Sequence, residues 1–204
     1  MSDCCSLENE EFSQLRGKQR RALVIVLWIN GLMFLFEFAA GILANSSALL
    51  ADSLDMLGDF LTYSLSIYVL ARNDTWQAGA ALFKGIIQAL FAVGVIYEVI
   101  DKLLHGGEPS GLLMGGAGTI ALIANSLCLL ILMKHRDDNL NMQSVWLCSR
   151  NDVIGNVGVL VAAVLVYFTG SSLPDIAVGA LIAAIFLRTA FFIITSALKQ
   201  IRAN

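Results

Sequence analysis

Six apolar stretches, separated by short polar ones, make up nearly all of the chain from residue 22 onward. They fall at residues 22–44, 48–71, 76–104, 112–133, 144–168 and 174–198. Each supplies the about 20 residues that a helix needs to cross a bilayer. The connections LANSSA, RNDT, HGGEPSG, KHRDDNLNM and TGSSL are turn-sized and rich in Gly, Asn, Asp and Ser. The pattern predicts an all-α integral membrane protein with six transmembrane helices. Residues 1–21 read as a polar, flexible N-terminal tail, 22–198 as one six-helix domain, and 199–204 as a short C-terminal tail with no further domain. No cleaved signal peptide is expected, because no A-x-A site follows a short apolar core.

Composition agrees with this reading. Of 204 residues, 57% are hydrophobic and 14% charged, where soluble domains carry about a quarter charged. Mean hydropathy is +0.75. Membrane lipid is the expected surrounding, and nucleic acid is not an expected partner. Orientation follows from the basic residues. Arg16, Lys18, Arg20 and Arg21 precede the first stretch, Arg72 follows the second, Lys134 and Arg136 follow the fourth, and Lys199 and Arg202 close the chain. The opposite side has only Lys102. The positive-inside rule puts both termini in the cytoplasm. Four cysteines give no disulfide framework: Cys4 and Cys5 lie in the tail, a reducing compartment, and Cys128 and Cys148 lie within apolar stretches.

The second stretch contains ADSLDMLGD, with Asp52, Asp55 and Asp59 inside an otherwise apolar helix. Asp55 and Asp59 are four apart and Asp52 is seven before Asp59, so all three share a face. In the fifth stretch, WLCSRNDVIGN, Cys148 and Asp152 are also four apart. The two helices run antiparallel, which sets Cys148 near the depth of Asp59 and Asp152 near that of Asp55. Three carboxylates and one thiol then surround one point, the ligand number of a tetrahedral divalent metal. A metal also offsets the several kcal/mol that a charged aspartate costs at mid-membrane. The plainer alternative is that each aspartate is protonated or bonds a neighbouring Ser or Asn. Were Cys148 only a packing residue, Asn151 or water would complete the set.

Other polar positions carry less. Glu37 either supports a ligand from behind or bonds across a helix contact. Asp52 is either an outer gate carboxylate or a partner for the Ser and Asn residues at its helix start. Arg150 falls on the face opposite Cys148 and Asp152 and pairs structurally, with Glu37 as one partner. Lys84 and Arg188 snorkel. Cys128 belongs to the core, while His105 and His135 are solvated. Cys4 and Cys5 can capture a soft cation. GGAG at 115–118, with Gly155 and Gly158, permits close helix contact.

SSALLADSLDMLGD resembles the second-span signature of the cation diffusion facilitators, zinc-type metal/proton antiporters, and Asp55 and Asp59 occupy its two ligand positions. FEFAAGIL, with Glu37, is similar to the family's first span, ALFAVGVIYEVIDKLL to its third and PDIAVGALIAAIFLRTA to its sixth. LNMQSVWLCSRNDVIGNVGVLVAA resembles the fifth, with Cys148 where a histidine is usual, and Asp152 on the aspartate. The connection RNDT lacks the histidine of the family's loop site, the fourth–fifth loop keeps only His135, and the family's cytoplasmic C-terminal domain is absent from this sequence. The resemblance implies export of Zn²⁺, and of Cd²⁺ beside it, from the cytoplasm in exchange for protons. No cofactor is implied. A homodimer built through membrane helices and a bacterial cytoplasmic membrane are also implied. Two rivals stand beside it: a non-transporting metal sensor or accessory subunit, and an intramembrane aspartyl protease suggested by MLGD, which lacks that enzyme's first Gly and its Tyr-Asp partner.

Overall fold

The computed structural model describes residues 3–69, 74–137 and 140–203. The elements are six helices: α1 (Asp3–Ala44), α2 (Ser47–Val69), α3 (Asp74–His105), α4 (Gly111–Met133), α5 (Leu140–Thr169) and α6 (Leu173–Ala203). By length and composition four of them suit a bilayer crossing, over Gly17–Ala44, Gly111–Met133, Ser149–Thr169 and Leu173–Lys199. α2, at 23 residues, spans about 34 Å at 1.5 Å per residue, but its three aspartates set it apart from these four by composition. The expected flexible tail is instead part of α1, which starts at Asp3 and continues unbroken into the apolar stretch. Leu, Glu, Gln, Lys and Arg there are all strong helix formers. The side chains of Cys4 and Cys5 lie outside the described residues.

Three apolar clusters organise the bundle. Ala44, Leu49, Met114, Ala117, Val159 and Val166 join one end of α1, α2, α4 and α5. Leu23, Val26, Tyr63, Cys128, Leu132 and Val145 join the other end of the same four helices. Ala51, Val95, Val99, Ile176, Ala183 and Phe186 bind α3 and α6 to each other and to α2. Cys128 is core, as expected. Within GGAG, Gly115 and Gly116 face open space and Gly118 makes the close contact, against Leu160.

The α1–α2, α3–α4 and α5–α6 connections meet at one end of the bundle, here the connection end. α1 closes in a Schellman motif: Asn45, left-handed at φ 51°, donates to Ile42 O, and Ser46 N–H donates to Gly41 O at 2.9 Å. Ser46 then caps α2, its Oγ accepting from Leu49 N–H at 3.1 Å. The carboxylate of Asp175, from the first turn of α6, takes the remaining donors. It accepts from Ser46 Oγ at 2.6 Å, Ser47 N–H at 2.8 Å and Ala48 N–H at 3.0 Å. Lys102 Nζ, from α3, lies 3.4 Å from the same carboxylate, donates to Asn45 O at 2.6 Å and sits 3.5 Å from Glu98. Gly179 lets α6 approach this closely, since a Cβ there would stand 3.1 Å from that of Ser47.

Lys102, the basic residue of the side opposite the termini, is a buried member of a clamp between α2, α3 and α6. The helix-start serines likewise pair with Asp175 rather than with Asp52. Asp175→Ala leaves two helix-end amides without their acceptor and takes from the buried Lys102 ammonium one of its two carboxylates. We expect a loss of about 3–5 kcal/mol, read as a lower unfolding midpoint in detergent. Lys102→Met combined with Asp175→Leu should cost less than the two single changes added together.

Candidate functional site

Between the two apolar clusters of the four-helix group lies a polar layer. α1 contributes Glu37, α2 Asp52, Asp55 and Asp59, α4 Asn125, and α5 Asp152 and Asn156. Glu37, Asp52, Asp59, Asn125 and Asn156 are buried, while Asp55 and Asp152 are half-buried. Amides link the layer across helices: Asn125 Nδ2 donates to Asn156 Oδ1 at 3.3 Å, and Asn156 Nδ2 donates to Asp52 Oδ2 at 2.7 Å. Asp59 Oδ2 accepts from the buried Tyr63 hydroxyl, one turn on, at 2.7 Å.

The Asp52–Asn156 bond fixes the register of α2 against α5, which the apolar clusters make antiparallel: Leu49 packs with Val159, and Tyr63 with Val145. Counting from that bond, Asp55 is level with Val153, the neighbour of Asp152, and Asp59 with Ser149, the neighbour of Cys148. The Cys148 side chain lies outside the described residues. Among the described residues, no three His, Cys, Asp or Glu side chains converge closely enough to hold a metal ion. Asp55, Asp59 and Asp152 thus do not meet at one point in this structure. Each is engaged in polar interactions within the protein.

Several expectations change. Asn151 is exposed and Arg150 is too. Arg150 does not pair with Glu37: its guanidinium lies 5.7 Å from the centroid of the Trp146 ring, which Arg136 also approaches at 5.6 Å. The partner of Asp52 is Asn156, on another helix. His105 is exposed, as expected, with Nδ1 2.9 Å from Asp101 Oδ1. The Lys84 side chain lies outside the described residues, and Arg188 is exposed. A pocket of about 170 Å³ between α2 and α3, lined by Gly58, Leu61, Phe83 and Gln88 among others, includes none of the expected ligands.

Asn156, Asn125, Tyr63 and Asp175 were not singled out from sequence. Two of them carried a signal. Asn156 is four after Asp152 and extends the Cys148–Asp152 face, and Tyr63 is four after Asp59.

Comparison with known proteins agrees with this architecture. Residues 23–201 match the cation efflux transmembrane domain. A cadmium, cobalt and zinc/H(+)-K(+) antiporter of Bacillus velezensis is 29% identical over 192 residues, covering 87% of this chain and 61% of the relative. The metal cation efflux system protein CzcD of Cupriavidus metallidurans is 25% identical over 195 residues, 90% of this chain and 62% of the relative. The zinc transporter ZitB of Escherichia coli is 25% identical over 194 residues, 89% and 62% respectively. The chain thus spans about six-tenths of the length of these relatives. They are efflux proteins and transporters, so the protease reading is set aside and the chain is not read as an enzyme. With the match running through nearly all of its helical bundle, this multi-pass membrane protein belongs to the cation efflux family, the cation diffusion facilitators that its second and fifth helices resemble.

Proposed function

We propose that the chain exports Zn²⁺, and Cd²⁺ beside it, from the cytoplasm in exchange for protons, through a site between α2 and α5 built from Asp55, Asp59, Cys148 and Asp152. The observation that carries this reading is the α2–α5 register at the Asp52–Asn156 bond, which pairs the levels of these four residues two by two. Ionised carboxylates and a thiolate bind the dication, and protons arriving from the other side compete for the same groups. All six helices cross the membrane in this reading, with both termini cytoplasmic. The basic residues support that orientation, because the only one at the connection end, Lys102, is internal. The metal-binding layer between apolar clusters suits alternating access by movement of helices around a fixed site. The membrane is a bacterial cytoplasmic one, and two copies associate through their membrane helices.

The test is uptake into proteoliposomes under an imposed pH gradient, across Zn, Cd, Mn, Fe and Co, with a pH dye inside. Zinc and cadmium should move, with matching proton movement in the opposite direction. No flux from the pure protein would favour a sensor or accessory subunit, and metal flux without proton flux would make it a uniporter.

A further inference from the structure

Glu37 is completely buried, and no donor reaches either of its oxygens. Its neighbour is the carboxyl of Asp52, within hydrogen-bonding reach. Two carboxylates are both acceptors, so this contact needs a positive charge between them. The hydrogen-bond chain indicates which side is the acceptor. Asn125 donates to Asn156, and Asn156 donates to Asp52, which leaves Asp52 accepting and Glu37 as the group that must donate. No Lys or Arg is paired with either carboxyl among the described residues. Around the pair, α2 presents Asp52 and, farther off, Asp55, while α4 and α5 present the neutral amides of Asn125 and Asn156.

We propose that Glu37 and Asp52 hold a counter-transported proton between them, in a site separate from the metal ligands. The inference rests on the transport reading above. Asp52 lies one helical turn from Asp55, toward the connection end. A dication at Asp55 repels a proton one turn away through a medium of low dielectric, and the proton repels the dication equally. The pair therefore loses its proton as metal binds and regains it as metal leaves, although metal and proton occupy different atoms. The O–H of Glu37 is the bond that breaks and re-forms, and its proton passes to water on the side that metal enters from.

Infrared spectroscopy of the purified full chain tests the proton directly and does not depend on transport. Metal-free protein at neutral pH should show the carbonyl stretch of a protonated carboxyl. That band should shift in D₂O, lose the Glu37 component in Glu37→Gln, and disappear from the wild type when zinc is added. In proteoliposomes, zinc flux by Glu37→Gln, a permanent mimic of the protonated form, should fall to the level seen without a pH gradient. A wild type without the band overturns the proposal even if Glu37→Gln fails to fold. So does a band whose intensity is the same in Glu37→Gln as in the wild type, or one that zinc leaves unchanged in the wild type. Absence of all metal flux with these spectra intact would sink the transport reading and leave the proton site standing.

Discussion

Replacing Asp59 with alanine should stop metal flux and leave a folded membrane protein. Asp59 is buried in the layer between two apolar clusters, with Tyr63 donating to one of its oxygens. In the proposed site it supplies one of the anions that balance the dication. Losing a residue that merely supports a ligand typically costs about 10–100-fold in affinity, so losing the ligand itself should exceed that range. Asp55→Ala and Asp152→Ala should behave alike. Tyr63→Phe, which removes only the supporting hydroxyl, should fall within the 10–100-fold range. The fold should survive because removing one of several neighbouring carboxylates relieves repulsion. Zinc uptake in proteoliposomes, paired with an unfolding midpoint for each variant, separates the two effects. Wild-type flux from Asp59→Ala would show that the metal binds elsewhere.

The second large effect concerns which metal is preferred. Cys148 stands one residue from the level of Asp59, on the face that also carries Asp152 and Asn156. A thiolate is a soft donor and the three carboxylates are hard ones. Sulfur favours zinc and cadmium, whereas all-oxygen sets favour magnesium, calcium or manganese. Zinc accepts a mixed tetrahedron with a Zn–S distance of about 2.3 Å. Cys148→Ser keeps the size and removes the soft donor, so cadmium transport should fall more than zinc transport. Cys148→Asp should move the preference toward manganese. An unchanged cadmium-to-zinc ratio in the serine variant would remove the thiol from the ligand set.

The helices were legible because they are long runs of apolar residues broken by short polar connections, such as Asn45, Gly106 and Gly170 at the connection end. The antiparallel register of α2 against α5, pinned by the Asp52–Asn156 bond, was legible in the sequence, because short connections alternate helix direction and a four-residue period leaves little freedom. The contacts of Asp175 were not. Its partners lie 127 to 129 residues away, and no local period reports a pairing at that distance. Arg150 differs for a related reason: helical period gives its face, but its partner on that face is the Trp146 ring one turn away, not Glu37. Glu37 was seen as polar in an apolar helix, yet only the packing of α1 on α2 reveals that its neighbour is another acceptor.

The clamp at the connection end also has a consequence for how the protein is made. A membrane chain is threaded from its N-terminus, so α2 and Lys102 enter before α6 exists. Until residue 175 arrives, the first amides of α2 lack the carboxylate that satisfies them in the finished bundle, and Lys102 lacks one of its two. Assembly of that end therefore waits on the last helix. A nascent chain interrupted before Leu173 would display an uncovered helix start and a Lys102 held by Glu98 and Asn45 O alone. Those are features by which surveillance proteases can tell an unfinished copy from a complete one.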